Sequence, residues 1–203
     1  MLWCLKAPFL YSIIIYNQYM GNLIIITGDL ASGKSTLANS LSYELNIPCL
    51  IKDRLKEIAC DAIGYSSREE NRNLSISAVN SMIYFFEQTA KANKDLILEA
   101  NFRNSEILSI KDIADEYDYK VLLINLTGDI NLLYQRFLDR LSNRHIAHKS
   151  LNLDQSIDKF TSYIYALRQE DTVFPSFAID MSELDEDEVT NEALNIIHSE
   201  LGI

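Results

Sequence analysis

Apolar positions change period several times along this chain, and each change marks an element. Asn22 to Thr27 (NLIIIT) is an almost unbroken apolar run, the pattern of a parallel strand buried on both faces. Leu37, Leu41 and Leu45 then recur every fourth residue, which predicts a helix ending near Pro48. Pro48 to Lys52 (PCLIK) reads as a short second strand and Arg54 to Ile63 as a helix. Ser67 is followed three residues later by Glu70, a capping box, and the helix it opens carries Val79, Met82, Ile83, Phe86 and Ala90 on one face. Asp95 to Glu99 (DLILE) predicts a third strand, and Ile107, Ile110, Ile113 and Ala114 the helix after it. Lys120 to Leu126 (KVLLINL) predicts a fourth strand, and Asp129 a cap for a helix with Leu133, Phe137 and Leu141 inward. A further helix is predicted over Asp154 to Arg168, then a weak fifth strand over Ser176 to Asp180 (SFAID). Asp185-Glu186-Asp187-Glu188 suits the start of a last helix, where the dipole favours negative charge. Strands alternating with helices imply an α/β chain whose parallel sheet is covered on both faces.

The first twenty residues, MLWCLKAPFLYSIIIYNQYM, stand apart from this alternation. Lys6, Pro8, Asn17 and Gln18 interrupt their apolar runs, which argues against a membrane span. Asn17-Gln18-Tyr19-Met20 is not the small-residue cleavage site of a signal peptide. Residues 1–21 read as an N-terminal extension with Met20 a candidate start, and residues 22–203 as one domain.

The strongest chemistry lies between the first strand and its helix. Gly28-Asp29-Leu30-Ala31-Ser32-Gly33-Lys34-Ser35, followed by Thr36, is a GxxxxGKS motif in the context it requires. Its glycines let backbone N–H groups turn inward, and those groups with the helix N-terminus favour phosphate oxygens. Lys34 supplies a cation to the β- and γ-phosphates of a nucleoside triphosphate, and the Ser35 hydroxyl can join a Mg²⁺ shell. The plain alternative is a glycine-bearing turn with no ligand.

Two further groups stand where an open α/β sheet binds ligands, at strand ends, and a third lies on a helix after the fourth strand. Asp53, after the second strand, can orient an acceptor hydroxyl and take its proton, or simply cap the helix that follows. Arg54 beside it contacts an anionic acceptor or faces water. Glu99 ends the third strand, where a carboxylate serves the Mg²⁺ shell through water, and Asn101 and Arg103 behind it are candidates for acceptor binding. Arg136, Arg140 and Arg144 are spaced by four, so a continuous helix would set them in one stripe. Such cations can close over a migrating phosphoryl group, Arg140 and Arg144 being the catalytic candidates and Arg136 a substrate contact, or they can complement a helix dipole. His145 and His148 have metal-like spacing, but no third ligand stands nearby, so metal binding is not expected there.

Composition narrows the class. Eighteen Lys and Arg against 29 Asp and Glu give a net charge of −11, which argues against general binding to nucleic acid. Cys4, Cys49 and Cys60 form no CxxC pair and read as reduced thiols, so the protein is expected in the cytoplasm.

GDLASGKST, KDRLKE after the second strand, LILEANFR at the third and RFLDRLSNRH after the fourth resemble small P-loop kinases. These are the AAA-like kinases related to chloramphenicol phosphotransferase, zeta toxins and the kinase domains of polynucleotide kinases. The resemblance runs from about Leu23 to Leu201. It implies a three-layer P-loop sandwich with strand order 2-3-1-4-5 and a small helical lid. It also implies transfer of the γ-phosphate of ATP, with Mg²⁺, to a small-molecule hydroxyl or phosphate acceptor. In such kinases an Asp at the place of Asp53 is the acceptor base, and an Arg-His pair like Arg144-His145 belongs to the lid. Alternatives are a nucleotide or polynucleotide 5′-kinase and a regulatory nucleotide-binding module.

Overall fold

One strand divides the core in two. The structure, a computed structural model, describes residues 21–149, 156–169 and 173–203. In β1 (Asn22–Gly28), Leu23 and Ile25 point to one face and Ile24 and Ile26 to the other, and all four are fully buried. A strand covered on both sides must be central, and β1 is. It pairs in parallel with β3 (Leu96–Glu99) on one side and β4 (Lys120–Thr127) on the other. β2 (Cys49–Ile51) lies outside β3 and β5 (Ser176–Asp180) outside β4, giving an all-parallel sheet of order β2-β3-β1-β4-β5.

The helices among the described residues are α1 (Lys34–Leu45), α2 (Lys52–Ile63), α3 (Arg68–Lys91), α4 (Asn104–Glu116), α5 (Ile130–Leu141), α6 (Ile157–Arg168) and α7 (Glu186–Leu201). Leu41 of α1, Leu133 of α5, Ile164 of α6 and Ile197 of α7 pack with Ile24 and Ile26 on one face. Met82 and Phe86 of α3 and Ile110 of α4 pack with Leu23 and Ile25 on the other. The result is the three-layer sandwich. Each such Leu, Ile, Met or Phe contributes roughly 1.5–3 kcal/mol by leaving water.

Helix starts follow their caps. Ser67 Oγ accepts from Glu70 N at 3.1 Å while Glu70 Oε2 accepts from Ser67 N at 3.2 Å, the reciprocal box that opens α3. Asp129 Oδ1 accepts from Asn131 N (2.9 Å) and Leu132 N (3.0 Å) at the start of α5. Asp185 and Glu188 form a second box at α7.

Two boundaries differ from the pattern and bear on the site. α2 begins at Lys52, with extended Ile51 at its cap, because β2 is only three residues long and the chain turns directly into the helix. Asp53 is therefore the second helical residue and not the cap. α5 ends at Leu141, so Arg144 lies beyond the helix and the four-residue stripe stops at Arg140. All of the 1–21 extension but Gly21, and the first residues of the helix expected from Asp154, lie outside the described residues. No helix among the described residues is long and apolar enough to cross a membrane.

Candidate active site

The loop leaving β1 is shaped by close approach. A Cβ on Gly28 would sit 2.1 Å from Leu126 O of β4, so only glycine, at φ 127°, lets the chain pass there. Ala31 follows at φ 64°, a left-handed backbone that a non-glycine residue adopts at some cost. Gly33 (φ 91°) is the cap of α1, with no side-chain bond to the helix's first N–H groups and open space on its Cβ side. The loop thus presents a helix N-terminus to a cleft.

Lys34 Nζ folds over the loop, donating to Gly28 O (3.2 Å) and Asp29 O (2.5 Å). Ser35 Oγ donates to Glu99 Oε2 at 2.9 Å, across from the end of β3. Glu99 is only 5 % exposed, and burial raises its carboxyl above the usual range against the pull of Lys34 and the Ser35 hydroxyl. Burial likewise lowers the Lys34 ammonium, opposed by Glu99, Asp53 and Asp29. A hydroxyl beside a carboxylate is a hard oxygen donor set suited to Mg²⁺, and an ammonium above a glycine loop suits polyphosphate, so the residues fit both.

The cleft, about 490 Å³, gathers Lys34, Ser35, Asp53, Glu99, Arg140 and Arg144. Residues Leu30 to Thr36 of the loop line it as well. Asp53, half exposed in the first turn of α2, has Lys52 Nζ at 3.9 Å. Arg140 comes from the last turn of α5 and Arg144 from the turn after it. Other sequence candidates lie elsewhere. Arg54 is exposed and donates to Glu57 Oε2 at 3.1 Å. Arg103 caps α4 from the surface, its backbone N donating to Glu106 Oε2 at 2.7 Å. Arg136 Nη1 stands 3.5 Å from Met181 Sδ, after β5. Asn101 accepts from Thr27 Oγ1 at 3.3 Å and lines a second, smaller cavity of about 80 Å³ with Asn125 and Arg168.

Two interactions had no counterpart in the sequence reading. The Asp29 side chain, 1 % exposed, turns from the cleft to meet Arg168 at the end of α6. Arg168 Nε donates to Asp29 Oδ1 (3.1 Å) and Nη2 to Oδ2 (2.5 Å), while Nη2 also reaches Gly128 O at 2.7 Å. The Asp29 carboxylate raises the Arg168 guanidinium's pKa. Its partner lies 139 residues along the chain, so no local spacing could reveal the pair. The second interaction joins the 3₁₀ turn Ile146–His148 to α2: His148 Nε2 lies 3.1 Å from Glu57 Oε1, and His145 Nε2 lies 3.0 Å from Asp61 Oδ1. The sequence argues against a metal site at these histidines and, by resemblance, puts His145 with Arg144 in the lid, but it gives no sign of their partners on α2.

The model of the zeta toxin family matches residues 17–177, well over half of the chain. The chain belongs to the zeta toxin family. The zeta toxin match takes in the P-loop, Asp53, Glu99, Arg140 and Arg144 together. Among solved structures, a candidate kinase from Chloroflexus aurantiacus is 23% identical with a TM-score of 0.71, covering 87% of this chain and 98% of that one. A gluconokinase from Sinorhizobium meliloti is 15% identical with a TM-score of 0.59, covering 91% and 96%. The tunicamycin resistance protein of Deinococcus radiodurans is 16% identical with a TM-score of 0.58, covering 90% and 96%. At these identities the likeness is one of fold, and the fold is that of P-loop kinases. No curated protein matches the sequence.

Proposed function

We propose that the protein is a kinase that uses ATP and Mg²⁺ to phosphorylate a small-molecule acceptor, through a hydroxyl or an existing phosphate. The observation that carries this reading is the cleft itself. It is lined at once by Lys34, Ser35 and Glu99, by Asp53, and by Arg140 and Arg144. Lys34 and the loop N–H groups hold the β- and γ-phosphates, where charge develops during transfer. Ser35 and Glu99 would hold Mg²⁺, Glu99 through water, and the metal would supply charge neutralisation between those phosphates. Asp53 orients the acceptor O–H and takes its proton as the O–P bond forms. Arg140 and Arg144 neutralise the phosphoryl oxygens in flight. ATP as phosphate donor supports a cytoplasmic reaction.

The test is ATP turnover with and without a pooled panel of sugars, sugar acids, nucleosides, nucleotides, aminoglycosides and phenicols. A kinase gives slow turnover with ATP alone and fast turnover with one pool. Turnover equally fast without any acceptor would point instead to a nucleotide-operated switch.

A further inference from the structure

The turn after α5 brings one more group to the base. His148 is 6 % exposed, although it follows an exposed loop. Its turn is held on α2, α3 and the loop between them by polar contacts. Asn71 Nδ2 donates to Ala147 O at 2.9 Å, Lys56 Nζ donates to Asn71 Oδ1 at 2.7 Å, and Tyr65 Oη donates to Ile146 O at 2.8 Å. These bonds fix the imidazole between two carboxylates of α2. Nε2 is 3.1 Å from Glu57 Oε1, and Nδ1 is 4.0 Å from Asp53 Oδ2.

A carboxylate only accepts hydrogen bonds, so Glu57 selects the tautomer with the proton on Nε2. Nδ1 is then the unprotonated nitrogen, 4.0 Å from Asp53 Oδ2. We infer that His148 is a positioning and relay residue for Asp53, held by Glu57, which receives at Nδ1 the proton that Asp53 takes from the acceptor. This rests on the kinase reading above. As the acceptor's O–H bond breaks and its oxygen bonds to the γ-phosphorus, the P–O bond to ADP breaks. The proton passes to the Asp53 carboxylate and on to Nδ1, leaving an imidazolium beside Glu57, which later returns the proton to water. The 4.0 Å gap is closed by a small rotation of the half-exposed Asp53 side chain or by one water.

The groups facing the imidazole are Asp53, Glu57 and Lys56 from α2, Arg144 from the loop and the His145 ring, edge-on at 6.3 Å between centroids, with neutral Asn71 from α3 behind them. Burial dominates and lowers the His148 pKa, which keeps the ring neutral and able to accept; Asp53 and the bond to Glu57 raise it.

The experiment follows the three histidines, His145, His148 and His198, by imidazole ¹H–¹⁵N NMR of the full chain across pH. The proposal expects His148 as the Nε2–H tautomer, with a midpoint below the ordinary histidine value that falls further in Asp53→Asn. Asp61→Asn, which removes a carboxylate that faces His145 and not His148, should leave the His148 midpoint where it is. A His148 midpoint indifferent to Asp53→Asn, or an Nδ1–H tautomer, overturns the relay whatever the turnover assays show. With the acceptor that the panel yields, His148→Gln should lower kcat on the order of 10²-fold at unchanged KM for ATP and reshape the pH–rate profile. Unchanged kcat and profile in that variant overturn the relay while leaving the kinase standing. Coupled titration without any acceptor-dependent turnover defeats the kinase reading, and the catalytic role of His148 with it.

Discussion

Glu99 and Lys34 face each other because β1 and β3 are neighbours, with Ile26 in register with Glu99. That placement was legible from the sequence, since a P-loop and a carboxylate ending a buried strand converge in any such sheet. Its cost was not legible, because burial is a property of the assembled layers. The Glu99 carboxyl is raised, so the fold favours its protonated form. The associated stability is present at low pH and is lost as pH rises through the ordinary carboxylate range toward the raised value. Glu99→Gln should therefore melt at or above the parent at neutral pH, with the difference shrinking as pH falls, while its Mg²⁺-dependent ATP affinity drops. Thermal melts across pH with Mg²⁺ titration check this; a variant less stable at pH 7 than at pH 4, relative to parent, contradicts it. Asp53 was legible too, but its cap role was not realised, because the cap position belongs to Ile51. Asp53→Asn should keep ATP affinity, because the phosphate loop is untouched, and lose ~10²–10⁴-fold in kcat with acceptor. Near-normal kcat in that variant would move the search for the base to Glu99.

At the scale of elements, periodicity located all five strands and the helices between them among the described residues. What it could not show was which elements brace one another. α6 is tied to the P-loop by Arg168, and the 3₁₀ turn is tied to α2, both through partners far apart in sequence. The arginine series shows the same gap: spacing by four is a stripe only while a helix lasts, and α5 ends at Leu141. The α6 brace is testable. Arg168→Gln leaves the buried Asp29 carboxylate without its cation and should destabilise the fold by roughly 3 kcal/mol. Asp29→Asn in the same chain should recover part of that loss, because the orphaned charge is gone. Urea titrations of the two single variants and the double variant read this directly, and strictly additive losses would mean that the pair is not coupled. Weakened ATP binding should accompany the loss, since Asp29 lies within the loop that Arg168 steadies.

For the molecule as a whole, strand order β2-β3-β1-β4-β5 came from resemblance, because strand patterns carry no order by themselves. The sheet realises it by putting β1, with Leu23 to Ile26 fully buried, at the centre and the short β2 and the more exposed β5 at the edges. That order is what places the P-loop between the ends of β3 and β4, with α2 close by and the cleft above. The proposed acceptor site is written less plainly, since it depends on side chains from α2, the loop after α5 and β3 meeting in space. The most direct test of the central claim follows the γ-phosphate itself. The full chain is incubated with Mg²⁺, γ-labelled ATP and the acceptor pools, beside Lys34→Ala and Asp53→Asn. The account predicts label transferred to a component of one pool by the parent, none by Lys34→Ala, and transfer slowed ~10²–10⁴-fold by Asp53→Asn. Label released only as inorganic phosphate, at a rate indifferent to every pool, or transfer undiminished in Lys34→Ala, would contradict it.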